Sequence, residues 1–370
     1  MISSSLKGRA LRAIAGGSIA ALAISSFAVV APAGATARPH TSGFLACVVT
    51  DTGGINDHSF NASAYQGLKD AQKANKSISI KYLSSSSSSD YAPNINTFIS
   101  EKCGIIVTVG FLMDSATADA ANAHPSQKFA IVDDVPTTTS KNVLSLTYLT
   151  NQGAFLGGYL AAASTKTGSV ATYGGINIPP VTIYMDGFVA GVRYYDKMLK
   201  KKVKVLGWTP TSGDRSKGNY NGSGTFAGSF TDQTAGQTIT SGFFSAGADI
   251  VFPVAGSVGL GSVAAAKSAG KGHQIIWVDT DGCVNDAPDC SWFLGSVTKG
   301  VEPSVNAAVS AAAKGTFKGG IYSGTLKNLG TGTVVDSKSV STTVKNALKT
   351  ITTGIESGTI SVDPTKYPAV

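Results

Sequence analysis

The sequence predicts an α/β protein built from two doubly wound, parallel-sheet lobes. Two observations carry this. From residue 43 onward short apolar strands alternate with amphipathic stretches, and the same alternation restarts after residue 150. In addition, 333 residues remain once an N-terminal leader is set aside, which is long for one ordinary core and suits two domains.

The first lobe opens with a buried strand, Phe44–Thr50, and a helix over Ser59–Lys73 whose stripe is Phe60, Ala64, Leu68 and Ala71. Strand Ile78–Leu83, helix Asn94–Glu101, strand Gly104–Gly110 and helix Ala116–Ala123 follow, the last ended by Pro125. Strands Lys128–Val132 and Val143–Thr147 complete it. Nearly continuous apolar strands imply a parallel sheet covered on both faces. The second lobe reads helix Gly153–Ser164, strand Val170–Tyr173, helix Tyr184–Lys197 and strand Lys204–Trp208. Helix Thr234–Ser245, strand Ile250–Val254, helix Gly261–Ala269 and strand Gln274–Val278 continue the pattern. Strand Phe293–Val297 precedes a long helix, Val301–Lys314. Two spans are predicted to be loops: the six serines Ser84–Ser89, and the Gly/Asn/Ser-rich stretch Ser212–Ser229.

Residues 1–37 read as a cleaved signal peptide. Lys7, Arg9 and Arg12 are followed by an uncharged apolar run and the small-x-small site Ala35-Thr-Ala. The protein is therefore expected to be exported. Leu45-Ala-Cys47 superficially fits lipidation, but residues 38–44 interrupt the apolar run, and processing there would remove half of a core strand. Removing residues 1–37 leaves 27 basic against 22 acidic residues, a net +5. Only Arg38, Arg193 and Arg215 remain as arginines, and the lysines are scattered. This is the charge of a soluble surface, not of a nucleic-acid groove. Lys200-Lys-Lys is expected to be a solvated turn. Cys283 and Cys290 bracket a short loop, and export permits a disulfide there. Cys47 reads as a buried thiol, with no bridge expected to Cys103. No Cys/His set has metal-ligand spacing, and no metal or cofactor is expected.

Ligands of open parallel sheets bind beyond the carboxyl ends of the strands. Asp51-Thr-Gly-Gly, Gly110-Phe and Asp133-Asp134 occupy those ends in the first lobe, and Ala255-Gly-Ser and Asp279-Thr-Asp281 in the second. Carboxylates accept charge-assisted hydrogen bonds from hydroxyls, each about 1.5–3 kcal/mol. Phe60 and Phe230 are placed to stack on a flat ligand. An isolated Asp after a strand is more often a helix cap than a ligand contact, and a Phe on a helix stripe more often core. The coincidence of several such positions favours a polar ligand between the lobes.

The segment Asp51-Thr-Gly-Gly-Ile-Asn-Asp-His-Ser-Phe-Asn-Ala-Ser-Ala-Tyr-Gln-Gly-Leu resembles the signature of the basic membrane lipoprotein family, purine-nucleoside-binding proteins of ABC transporters. Lys128-Phe-Ala-Ile-Val-Asp-Asp, Gln152-Gly-Ala-Phe-Leu-Gly-Gly-Tyr-Leu, Gly228-Ser-Phe-Thr-Asp, Val278-Asp-Thr-Asp and Ser296-Val-Thr-Lys agree in order, so the likeness runs from about residue 43 to 335. It implies a type I periplasmic-binding-protein fold, with an N-terminal lobe of 43–149 plus 298–316 and a C-terminal lobe of 150–297 plus 317–370. It further implies that Phe60 and Phe230 sandwich the base, with Asp133 and Asn61 at its edge and Asp134 competing with Asp133. Asp51 and Asn56 would line the first-lobe wall. Gly256 and Asp279 would contact the ribose, with Asp281 as the alternative, and Lys299 would reach in from the hinge. The implied partners are a nucleoside and a transporter permease, on a monomer. Here Ala255-Gly-Ser-Val-Gly stands where the family usually has Ala-Gly-Gly-Thr-Gly.

Two other functions compete. A nucleoside hydrolase would need a calcium-binding aspartate cluster near its start, where Gly53 and Gly54 stand instead, and no Gly-x-Ser-x-Gly elbow accompanies the four histidines. An enzyme is therefore not expected. A sugar or autoinducer receptor on the same fold would keep the acids but not need two opposed phenylalanines.

Overall fold

A computed structural model describes residues 43–211 and 220–368. The expected signal peptide 1–37 and the first part of the Gly/Ser stretch, 212–219, lie outside the described residues. In the first lobe the elements are β1 (Phe44–Thr50), α1 (Phe60–Ala74), β2 (Ile78–Ser84), α2 (Tyr91–Ser100), β3 (Ile105–Val109), α3 (Asp114–Ala123), β4 (Phe129–Val132) and β5 (Val143–Tyr148). The second lobe holds α4 (Thr150–Ser164), β6 (Ser169–Gly174), α5 (Pro179–Leu199), β7 (Lys204–Leu206), β8 (Trp208–Pro210), β9 (Gly222–Gly224) and α6 (Gln233–Ser245). It continues with β10 (Ile250–Val254), α7 (Val258–Ala269), β11 (Gln274–Asp279), α8 (Gly282–Asn285) and β12 (Phe293–Lys299). Then come α9 (Val301–Ala313), β13 (Gly320–Gly324), β14 (Thr331–Val334) and α10 (Thr342–Glu356).

Two six-stranded sheets result, ordered β13-β5-β4-β3-β1-β2 and β14-β12-β11-β10-β6-β7. The orders correspond strand for strand, and among the described residues of these two sheets only β14 runs antiparallel, against β12. The central strands β3, β4 and β10 are buried at every position, as a sheet covered on both faces requires. The chain crosses between lobes at Tyr148–Thr150, Lys299–Val301 and Gly324–Thr331. The helices confirm the crossings: α4 packs on α5 and β12, whereas α9 returns to pack on α1. At its N-terminus α5 has Pro179 and Pro180, whose fixed φ suits a first turn, and it ends at Lys200 in a left-handed cap. The lysines 200–202 are exposed there.

The structure corrects four expectations. β13 lies beside β5 in the first sheet, with Ile321 opposite Ser145, so residues 320–324 belong to the N-terminal lobe and not to the C-terminal one. β12 joins the second sheet through Lys299, which moves the crossing from residue 298 to 300. Cys47 is not a free thiol but is bonded to Cys103. β1 pairs with β3, and Gly104 N donates to Leu45 O, so the turn entering β3 brings the two Cα atoms to 6.0 Å, ordinary disulfide spacing. Finally, the predicted loops are partly regular. Ser88–Asp90 forms a 3-10 turn whose Asp90 Oδ2 accepts from the backbone N–H groups of Ser86 and Ser87, and Gly222–Gly224 pairs antiparallel with Trp208–Pro210. Cys283 and Cys290 are also bonded.

Candidate functional site

The carboxyl ends of both sheets face one cavity. From the first lobe it is lined by Asp51, Asp57, Phe60, Asn61, Gly110, Phe111 and Asp133. The second lobe supplies Ile178, Pro180, Val181, Tyr184, Phe230, Val254, Gly256, Asp279 and Lys299.

Local sequence explains each placement. Asp51 follows β1 and lies against Gly110, where any Cβ would collide with its carboxylate, so the glycine is required there. Asp57 accepts from the backbone N–H groups of Ser59, Asn61 and Ala62 at 3.0, 2.8 and 2.9 Å. It thus satisfies donors at the start of α1 and sets Phe60 and Asn61 at the cavity wall. Pro179 and Pro180 open α5, which carries Tyr184 one turn further in. Phe230 packs over Gly175, and its carbonyl accepts from Ser257 Oγ at 2.8 Å.

Lys299 is the electrostatic centre. It is 6% exposed, and its Nζ lies 2.5 Å from Asp133 Oδ2 and 3.6 Å from Asp279 Oδ1. Its Nζ also sits 4.8 Å from the Phe60 ring centroid and 5.1 Å from that of Tyr184. Burial disfavours its charge, but the two carboxylates outweigh burial and push its pKa above the usual lysine range. Burial pushes Asp133 up, and the ammonium pulls it back. Tyr184 Oη donates to Asp279 Oδ1 at 2.7 Å and Ser59 Oγ donates to Asp279 Oδ2 at 3.1 Å. Asp133 and Asp279 both have left-handed backbone, φ 69° and 66°. A non-glycine residue held there costs on the order of 1–3 kcal/mol, which the surrounding contacts must offset. Among the described residues Asp51 has no comparable cation. Burial, opposed by Asn61 and reinforced by Asp57 and Asp133, lifts it to about 8. Burial likewise lifts Asp57 to about 6 despite its backbone donors.

The lobes touch beside the cavity. Thr280 Oγ1 donates to His58 O at 2.9 Å, and His58 Nδ1 lies 2.6 Å from Asn285 O. Ser59 Oγ also donates to Val278 O at 3.1 Å.

The family profile described as ABC transporter substrate-binding protein PnrA-like matches residues 44–219 and 224–363. The chain belongs to this family. The ABC transporter nucleoside-binding protein BmpA of Lactococcus lactis subsp. cremoris is 32% identical over 365 residues, 93% of this chain and 97% of that one. Among solved structures, an ABC transporter solute-binding protein from Aeropyrum pernix K1 has TM-score 0.75 and 23% identity, covering 86% of this chain and 92% of that one. A solute-binding protein of Actinobacillus succinogenes 130z with bound D-allose has TM-score 0.59 at 15% identity, covering 82% and 99%. The type I periplasmic-binding fold is thereby shown, and the chain is an ABC transporter substrate-binding protein of the PnrA/BmpA type. Among the described residues no helix is long and apolar enough to cross a membrane.

Within this PnrA-like protein, Asp51, Phe60, Asn61, Asp133, Phe230, Gly256, Asp279 and Lys299 come together at the cavity. Asp134 does not; it opens onto an adjoining crevice with Val135 and Thr147. Two sequence expectations are corrected. Asn56 lines a separate crevice with Gln66, Lys69 and Glu302, because the turn that aims Asp57 inward aims its neighbour out. Asp281 accepts from Cys283 N at 2.9 Å and caps α8. This is the ordinary role of an Asp after a strand. Sequence reasoning missed Asp57 and Tyr184. Asp57 was visible as an acid three residues before Phe60; Tyr184 looked like one more apolar helix residue.

Proposed function

We propose that this protein captures a purine nucleoside between its lobes and delivers it to a transporter permease, without converting it. The observation that carries the reading is the pairing of Phe60 and Phe230, from opposite lobes, in one cavity whose polar groups are strand-end acids, an amide and a lysine. A flat base suits the two rings, and stacking contributes on the order of 1–3 kcal/mol. Asp279, Lys299 and the backbone at Gly256 would hold the ribose, with Asp133, Asp51 and Asn61 at the base. Micromolar affinity needs about −8 kcal/mol, which a stacked base and a few charge-assisted bonds supply after ordering costs. The match to a nucleoside-binding relative along nearly its whole length supports this assignment.

The same reading makes the protein a monomeric, exported receptor. Titration calorimetry with adenosine, inosine, guanosine, cytidine, ribose and hexoses tests it. Purine nucleosides should bind at least tenfold tighter than the free sugars, and inosine should come back intact after prolonged incubation. Equal or better binding of a sugar alone would replace the nucleoside with a sugar, and free base in the inosine sample would make the protein an enzyme.

A further inference from the structure

The cavity contains three strand-end acids and one lysine, and the lysine is committed. Lys299 Nζ lies 2.5 Å from Asp133 and 3.6 Å from Asp279, which leaves Asp51 to be satisfied otherwise. Asp51 is 5% exposed and Oδ1 accepts from Asn61 Nδ2 at 3.1 Å. Among the described residues, the charged or titratable groups that face it offer no cation. Asp57 comes from the loop before α1, Asp133 from the end of β4 and Tyr91 from α2. A bare carboxylate in that company would be a buried charge with acids as neighbours, an arrangement that proteins avoid by keeping the proton. A second observation points to a ligand. Asn61 Oδ1 is buried in the same wall and has no hydrogen-bond partner, although Asn61 itself is 2% exposed. A buried acceptor left open costs about 1–3 kcal/mol unless something that enters the cavity fills it.

We infer that Asp51 meets the ligand as an uncharged acid: its hydroxyl donates to an acceptor on the base, while Asn61 Oδ1 accepts from an adjacent N–H. The pair, held together by the bond from Asn61 Nδ2 to Asp51 Oδ1, thus reads a base edge by one donor and one acceptor. Adenine fits with a ring nitrogen beside its amino group. A 6-oxopurine fits with its oxygen beside the ring N–H. A buried carboxylic acid kept neutral in order to donate has chemical precedent. Burial and the neighbouring acids lift Asp51 to about 8, consistent with this geometry. This inference rests on the nucleoside reading above and adds to it a protonation state, and with it a pH limit on capture.

The test uses adenosine, which has no group titrating near neutrality. If only the neutral acid binds, the apparent affinity scales with the protonated fraction. Adenosine should then bind wild type roughly tenfold more weakly at about pH 9 than at about pH 7. Asp51→Asn, which keeps a donor and an acceptor but cannot ionise, should show no such loss over the same range. Purine riboside, lacking the amino donor for Asn61, should bind about tenfold more weakly than adenosine. A carboxyl carbon NMR titration of the ligand-free wild type reads the proton directly. The Asp51 resonance, found by its loss in Asp51→Asn, should remain that of a neutral acid at pH 7. An Asp51 carboxyl ionised below pH 6, or adenosine affinity equal at the two pH values, overturns the inference while leaving nucleoside capture standing. Adenosine that gives no heat with wild type at any pH overturns the nucleoside reading and the inference built on it.

Discussion

The two lobes share one topology and part in chemistry at one strand pair. Strand for strand, β1 corresponds to β6, β3 to β10 and β4 to β11. At the third of these pairs the lobes agree: β4 is followed by Asp133, β11 ends in Asp279, both are left-handed, and both approach Lys299. At the first pair they diverge. β1 is followed by Asp51, whereas β6 is followed by Gly175, and the Phe230 ring fills the space a side chain there would need. The first lobe therefore presents an acid and amide corner, and the second an apolar floor of Ile178, Pro180, Val181 and Val254 with one ring upon it. One scaffold repeated twice has been divided into a wall that discriminates polar edges and a wall that buries flat surface.

The shared element is the most vulnerable. Lys299→Met would leave Asp133 and Asp279 buried without their cation, and removing one partner of a buried pair costs roughly 3–5 kcal/mol. Chemical denaturation should show a loss of that size; a loss under about 1 kcal/mol would mean that the acids do not need the lysine. The disulfides sharpen the contrast between lobes. Cys47–Cys103 closes a loop of 56 residues through the first core, and Cys283–Cys290 a loop of 7 at the edge of the second. Loop-closure entropy assigns them about 4 and about 2 kcal/mol. Replacing each pair by alanine and comparing unfolding midpoints should rank them in that order.

How far this division could be read beforehand depends on the physics of each residue. Buried parallel strands such as Phe44–Thr50 and Ile250–Val254 appear in the sequence because both faces must be apolar, and the structure keeps their bounds. β13 was missed because it is an edge strand: Ile321 is 65% exposed, so no apolar pattern marks it. Its lobe assignment failed with it. α10 was legible and overlooked, since Leu348, Ile351 and Ile355 recur at helical spacing. The bond between Cys47 and Cys103 was hidden because strand order, not spacing, brings those residues together. Strand-end rules found Asp51, Asp133 and Asp279, but could not distinguish Asp279, aimed at Lys299, from Asp281, which caps the next helix two residues later.

The two rings test the division more directly. Phe60→Ala removes a ring from the discriminating wall and Phe230→Ala one from the apolar floor. Each should weaken purine nucleoside binding at least tenfold by calorimetry, about 1.4 kcal/mol. Ribose affinity, set by other groups, should change less. If Phe60→Ala alone had an effect, the second lobe would be a lid and not half of a clamp.

The pH dependence of the empty protein isolates the corner by which the first lobe differs from the second. Asp51 is lifted from 3.8 in the unfolded reference to about 8 in the fold. Its folded pKa is raised, so its contribution to stability is fully present below about pH 4 and is lost as pH rises through about 8. Between those limits the unfolded chain has released a proton that the folded chain still holds, and stability falls with pH by at most about 1.4 kcal/mol per unit. Asp51→Asn removes this dependence and leaves the other acids in place. Denaturation of wild type and variant at about pH 5, 6 and 7 should therefore give curves that diverge in favour of the variant as pH rises. Parallel curves would mean that the Asp51 carboxyl ionises as readily inside the first lobe as outside it, and the contrast with Gly175 in the second would then be one of shape alone.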